Sequence, residues 1–368
     1  MKIGILVSVV QGSRRGNEIT AERWMSLLES LGHDVRIEHA ISGQDTSIVD
    51  NAKLGPQQLE NGREPPFGNA GPDDNTRGNE NSRLDCDLLI AIHAVKCQQE
   101  IQQFKQNFPS RPVVVCLSGT DLHGVFESLE SDSASSQSMA LASLDASDRI
   151  ILLEPQGLKK IPSRFHDKCR VIFQSAEPVQ KRSLLQYATE ANESFVVSVL
   201  GHLRDVKDPL RTATAARRLP ANSKVLVQHV GKILEEKYRD LVEVEQNENA
   251  RYKWLGLLSH DEALQVLVNS RLTVLSSIAE GAPSVISEAV VNGVPILATR
   301  IDAVIGLLGA DYPGLFEVGD SDRLTELLSR SETDEIFLVE LTDHLQSRQP
   351  LFSPGGEKDA WAQLLAEL

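Results

Sequence analysis

The sequence predicts an α/β protein with two parallel-sheet, Rossmann-like domains. Three observations lead there. At 368 residues the chain is longer than one hydrophobic core usually serves, so two domains with ample core are favoured. Strand-length apolar runs recur with helical or loop stretches between them, the alternation that parallel sheets require. Third, the run Arg271–Arg300 (RLTVLSSIAEGAPSVISEAVVNGVPILATR) reads as strand, loop, helix, strand.

Taken in order, Lys2–Val9 is a buried strand, and Gln11–Asn17 (QGSRRGN) is the loop after it, hinged at Gly12 and Gly16. A helix over about 18–31 carries Trp24, Leu27, Leu28 and Leu31 on one face, Gly32 ends it, and Asp34–His39 is the second strand. The first loop holds Ser13, Arg14, Arg15 and Asn17. Paired guanidinium groups beside glycines can take a phosphate-like oxyanion, although an RR pair is also an ordinary solvated surface. The loop lacks GxGxxG spacing, so it is not a dinucleotide fingerprint.

Residues 51–83 are rich in Asn, Gly and Pro and read as a polar surface insertion. Asp85-Cys86-Asp87 matches a metal motif by letter, but it precedes the strand Leu88–Ile92 and so points to the wrong end of the sheet. His93 and Lys96 follow that strand, as site candidates or as a helix-capping pair. After the strand Val113–Leu117 comes Ser118-Gly119-Thr120-Asp121, where Thr120 and Asp121 are candidates for substrate contact; the alternative for Asp121 is a helix cap. Strands at Arg149–Leu153 and Cys169–Phe173 complete a domain over 1–176, and 177–193 is a linker.

The second domain, 194–350, opens with the strand Phe195–Leu200 and the loop Gly201-His202-Leu203-Arg204-Asp205-Val206-Lys207-Asp208-Pro209. Val225–Val230 and Tyr252–Leu255 are further strands. Within 271–300, Pro283 can start the helix, Gly293 can end it in a left-handed cap, and Val294–Ala298 is the next strand. Arg300–Gly309 reads as another Gly-containing loop. Helices follow over about 322–328 and 334–346, and a last one near 357–368, in a segment 351–368 that crosses back to the first domain.

Glu280 falls in the loop at the carboxyl end of its strand and Glu288 about one and a half turns into the helix. In open α/β sheets ligands bind at that end. An ionised carboxylate accepts two hydroxyl donors, so two at different heights can hold two diols. Between them, the N–H groups of Gly281 and Ala282 sit at a positive helix terminus, where they can face an anion or a sugar oxygen. By spacing alone, Glu288 as a solvated helix residue and Glu280 as a surface acid remain open.

Composition limits the partners. A net charge of −15 argues against nucleic acid and anionic membranes. No run approaches the roughly 20 apolar residues of a membrane span. No signal-peptide pattern opens the chain, and the four cysteines show no CxxC pair, so a reducing cytoplasm is expected.

The run EGAPSVISEAVVNGVPILAT, with YKWLGLLSHDEALQVLVNSRLTVLSS before it and IDAVIGLLGADYPGLFEVGD after it, resembles the E-x7-E segment of family 4 retaining glycosyltransferases. That family has the GT-B fold, two Rossmann-like domains facing across a cleft. Within it, GSRRGNEITAERW, SGTDL, GHLRDVKDPL and RIDAVIGLLGADYPG resemble the selenosugar synthases of selenoneine biosynthesis. The resemblance implies an N-terminal acceptor domain and a C-terminal donor domain. It implies UDP-N-acetylglucosamine or UDP-glucose as donor, selenophosphate as acceptor, and neither metal nor cofactor. Glu288 would bind ribose, and Glu280 with Gly281, Ala282 and Pro283 the transferred sugar. Lys207 and Arg204, beside Gly201 and His202, would neutralise the diphosphate. His202 stands where the family usually has arginine, and Ser118 where many members have histidine. Ser13, Arg14, Arg15, Asn17, His93, Lys96, Thr120 and Asp121 would face the acceptor. Alternatives are a family 4 enzyme with a hydroxyl acceptor, a UDP-sugar 2-epimerase, and a non-catalytic nucleotide-sugar sensor.

Overall fold

A computed structural model describes residues 1–8, 16–40, 84–126, 131–180 and 194–368. The expectations for Ser13, Arg14, Arg15 and the 51–83 insertion lie outside the described residues, as does most of the 177–193 linker.

Two six-stranded sheets form. The first contains β1 (Lys2–Val7), β2 (Asp34–His39), β3 (Leu88–Ile92), β4 (Val113–Leu117), β5 (Arg149–Leu152) and β6 (Cys169–Val171), in the order β2-β1-β3-β4-β5-β6. β1 runs parallel to both neighbours, with Ile5 opposite Ile37 and Ile90. Every residue of β3 and β4 is buried, which is why these runs are apolar throughout and do not alternate. The Gly16–Ser30 helix covers this sheet through Trp24 and Leu28, both fully buried.

The second sheet contains β7 (Phe195–Leu200), β8 (Val225–Val230), β9 (Tyr252–Gly256), β10 (Leu272–Leu275), β11 (Ile296–Thr299) and β12 (Leu315–Phe316), in the order β12-β11-β10-β7-β8-β9. All its pairings are parallel. The strand order reverses between β7 and β10, so the connections leaving their carboxyl ends diverge and open a crevice there. By contacts the chain divides into two compact units, 1–115 with 139–148 and 116–138 with 149–368.

Several local readings need correction. Arg300–Gly309 is not a loop: Asp302–Leu308 is a helix that buries Ala303, Val304, Leu307 and Leu308. Its last carbonyls are satisfied from far along the chain, by His344 Nε2 on Leu308 O at 2.7 Å and Arg348 Nε on Leu307 O at 2.6 Å. Those partners supply the helix end that local sequence lacks. Pro283 is the residue before the Ser284–Asn292 helix, not its first member, while Gly293 closes that helix at φ 64° as read. β11 begins at Ile296 and not at Val294. Asp85 pairs with Arg111 (2.6 Å) and Asp87 accepts from the Lys2 backbone N–H (2.7 Å), so the DxD carboxylates serve the amino ends of the strands.

The final helix, Pro354–Ala366, is anchored on residues of the span 1–176, two of them in β5 and β6 of the first sheet. Glu357 accepts from the Ser175 N–H (2.9 Å) and hydroxyl (2.5 Å), and Glu367 pairs with Arg149 and Arg170. Those two guanidinium groups hold the Glu367 carboxyl down at about 2. Among the described residues, no helix is long and apolar enough to cross a membrane.

Candidate active site

The loop leaving β7 is fixed almost residue by residue. The Gly201 N–H donates to Val230 O (2.9 Å) and the Leu203 N–H to Lys232 O (2.9 Å), so the loop continues alongside the end of β8. Gly231 makes this possible: a Cβ there would lie 2.0 Å from Gly201 O, so no other residue fits without moving the loop. Asp205–Lys207 forms a single 3₁₀ turn, and Asp208 follows at φ 43°, a left-handed conformation steadied by Arg211 on its carboxylate at 2.7 Å. On the other side, the Ser276 hydroxyl donates to Lys207 O (3.2 Å) and Asp208 O (3.0 Å), and the Ile278 N–H to Val206 O (2.8 Å). The β7 and β10 loops thus brace each other across the switch point.

Beneath them lies a buried imidazole. His229 Nε2 meets Gly201 O at 3.0 Å, and Nδ1 meets the Tyr252 hydroxyl at 2.9 Å. A carbonyl can only accept, so Nε2 carries the proton and the Tyr252 hydroxyl donates to Nδ1. Burial pushes the His229 pKa down to about 4, which keeps the ring neutral.

The bracing delivers Lys207 to Glu280. The Lys207 ammonium pairs with Glu280 Oε1, and the Ser277 hydroxyl donates to the same oxygen at 2.5 Å. The two side chains are 20% and 10% exposed, so the pair is largely withdrawn from solvent. Thr299 holds Ser277 in turn, its hydroxyl on Ser277 O at 2.6 Å. Glu288 projects from the Ser284–Asn292 helix at 12% side-chain exposure, with His260 Nε2 at 4.0 Å from Oε1. Gly281 packs so closely on the chain at 118–119 that a Cβ would fall 2.5 Å from the Gly119 Cα and 2.6 Å from Ser118 O. Ala282 and Pro283 complete the approach to the helix.

The remaining candidates are placed differently. Arg204 is exposed at the start of the 3₁₀ turn. His202 sits at the surface with Nδ1 accepting from the Lys232 N–H (3.1 Å). Asp121 is fully buried, and its Oδ1 accepts from the N–H groups of Ser118 (2.8 Å) and Gly119 (3.1 Å). Its carboxylate shapes the 118–119 loop from beneath, close to the capping alternative. His93 is buried at φ 108°, and its Nδ1 accepts from the Lys96 N–H at 3.3 Å, the geometry of a cap after β3. Asn17 lies half-buried in the first turn of the Gly16–Ser30 helix. Thr120 opens a helix, Thr120–Phe126, and its side chain lies outside the described set.

Sequence reasoning missed Ser276, Ser277, Lys232, His260 and the His229–Tyr252 pair. The adjacent serines were legible only as loop-forming residues. His229 lies inside an apolar strand, where a histidine is ordinarily a core residue with a satisfied hydrogen bond.

Three comparisons bear on this geometry. Residues 182–348 match the family model described as glycosyl transferases group 1. A 101-residue stretch is 30% identical to the putative teichuronic acid biosynthesis glycosyltransferase TuaC of Bacillus subtilis, covering 27% of this chain and 26% of that protein. Among solved structures, the sucrose-phosphate synthase of Thermosynechococcus elongatus superposes with a TM-score of 0.74 at 16% identity, over 100% of this chain and 98% of that one. Anabaena HepE, crystallised with UDP and glucose, superposes at 0.69 with 18% identity over 100% of both chains. The chain has the GT-B fold of these structures, and its segment 182–348, which carries the loops after β7 and β10, matches the group 1 glycosyl transferase family model.

Proposed function

We propose that this protein is a glycosyltransferase that takes a hexose from a UDP-sugar and passes it on with retention at the anomeric carbon. The observation that carries the reading is the Lys207–Glu280 pair at the switch point of the second sheet, with Glu288 on the helix that follows Glu280. A diphosphate gains negative charge as its bond to the sugar breaks. A fixed cation at that place therefore stabilises the transition state more than the ground state. Lys207 and Arg204 supply the charge. Glu280, with the N–H groups of Gly281 and Ala282, holds the transferred sugar, and Glu288 accepts the ribose hydroxyls. The HepE complex with UDP and glucose supports a uridine nucleotide in a chain of this fold.

The donor is UDP-N-acetylglucosamine or UDP-glucose, and the acceptor is selenophosphate; the motif run resembling selenosugar synthases supports both. The selenium–C1 bond forms as the C1–oxygen bond breaks, and the electron pair of the broken bond departs with UDP. An anionic selenium nucleophile needs little help from a general base, which fits Ser118 at a position where many relatives have histidine. The basic groups take the place of a metal, and the reaction runs in the cytoplasm, where a buried thiol such as Cys86 stays reduced. The test is UDP release over a panel of donors and acceptors, with mass detection of the selenium product. Release with hydroxyl acceptors alone would replace the acceptor. A manno epimer formed without acceptor would replace the activity.

A further inference from the structure

Glu154 caps the 3₁₀ helix Pro155–Lys160 just past β5, and it is 1% exposed. Its Oε2 accepts from the Gln156 N–H at 2.5 Å, whereas Oε1 has no hydrogen-bond partner among the described residues. The carboxyl lies against the Asp302–Leu308 helix at Gly306, where a Cβ would fall 2.1 Å from Oε2 and 3.1 Å from Cδ. One turn earlier on that helix, Asp302 pairs with Lys160 at 3.1 Å. The 3₁₀ helix therefore grips the Asp302–Leu308 helix at two points, both within one compact unit. Among the described residues the charged groups around Glu154 do not serve it. Lys160 is engaged by Asp302, and that acid opposes ionisation of the carboxyl. Asp121, on the helix whose Leu122 packs against Gly157, commits Oδ1 to the Ser118 and Gly119 amides. Arg348 donates to Gly306 O at 3.3 Å. A carboxylate seated here with a bare oxygen would lose its hydration without replacement, so the neutral acid is the form that fits.

We propose that Glu154 is a positioning residue: its acid form clasps the Pro155–Lys160 element to the Asp302–Leu308 helix, and ionisation loosens the clasp. Resting on the donor-site reading above, the clasp supports Glu280. The clasped helix follows β11, where the Thr299 hydroxyl holds Ser277 O, and the Ser277 hydroxyl in turn holds Glu280. The closed clasp keeps its proton up to about pH 7, because burial raises the carboxyl from its ordinary 4.5 to about 7. An opened clasp returns Glu154 to the ordinary value. Opening therefore becomes easier by about tenfold per pH unit between those limits and levels off above them.

The test is hydrogen exchange of the Asp302–Leu308 amides at pH 5.5 and 7.5, corrected for intrinsic exchange rates, together with KM for UDP-glucose. Protection in the wild type is expected to fall by about 20-fold between the two pH values. Glu154→Gln, which keeps the neutral shape, should hold its protection at both. Gly306→Ala puts a methyl where Oε2 lies and should lower protection at both, although alanine ordinarily strengthens a helix interior. KM for the wild type should equal that of Glu154→Gln at pH 5.5 and exceed it about threefold at pH 7.5. Flat protection in the wild type, or a pH slope retained by Glu154→Gln, would overturn the clasp. A slope in exchange with equal KM values at pH 7.5 would overturn the support of Glu280. No turnover of UDP-glucose at either pH would overturn the donor-site reading and that support with it, while the exchange slope alone decides the clasp.

Discussion

Removing either member of the Lys207–Glu280 pair probes stability and function together. The Glu280 side chain is 10% exposed and that of Lys207 20%, so neither charge is rehydrated freely once its partner is lost. Fully exposed pairs contribute about 0–1 kcal/mol, whereas breaking a buried pair from one side costs about 3–5 kcal/mol. This pair falls between, and about 2–3 kcal/mol is expected for Lys207→Met, which strands the carboxylate. Glu280→Gln keeps an oxygen for the Ser277 hydroxyl and should cost somewhat less. The double variant should cost less than the two single losses added together, by a coupling of about 1–2 kcal/mol in a double-mutant cycle from urea unfolding. Turnover should behave oppositely. Losing the cation at the leaving group is expected to lower kcat by about 10²–10³, and the double variant should recover none of it. Stabilities that add to within about 0.5 kcal/mol would refute the pair as an energetic unit, and near-normal UDP release from Lys207→Met would refute its role at the diphosphate.

Gly231→Ala is expected to abolish UDP-sugar binding and lower Tm, because its Cβ would enter the Gly201 carbonyl; calorimetry and a thermal melt check both. The buried Glu154 carboxyl is raised to about 7 by loss of solvation. The folded state therefore holds that proton more tightly than the unfolded state, and the associated stability is full below about pH 4.5 and fades as pH rises toward 7. Glu154→Gln should accordingly gain stability over the wild type at pH 8 but not at pH 4.5, read from urea midpoints. His229 works in the opposite sense, since its pKa is lowered to about 4. Its contribution is present above pH 6.5 and drains away as pH falls toward 4, so His229→Gln should flatten that limb of the stability profile. UDP release in the presence of EDTA should match the untreated rate if the basic groups carry the leaving-group charge; a chelator-sensitive rate that magnesium restores would count against them.

Much of the fold could be read locally. The apolar runs at 88–92, 113–117 and 272–275 are strands because residues buried on both faces of a parallel sheet have no reason to alternate. Gly293 ends its helix because φ 64° suits a residue without a Cβ. Glu280 and Glu288 could be assigned to loop and helix from the pattern of residues around them. The Asp302–Leu308 helix was not legible, because the His344 and Arg348 groups that finish it come from another helix.

By itself the sequence determined the two-sheet class, the loops that follow β7 and β10, and the charged residue types they carry. Tertiary structure alone decided that Lys207 meets Glu280, 73 positions away, and that Ser276, Ser277, Lys232 and the His229–Tyr252 pair brace their loops. The physical reason is the reach of each interaction. Periodicity and caps act over a few residues, so the local sequence carries them. The reversal of strand order that seats β7 beside β10 depends on how the whole sheet packs, and that reversal places the lysine next to the acid.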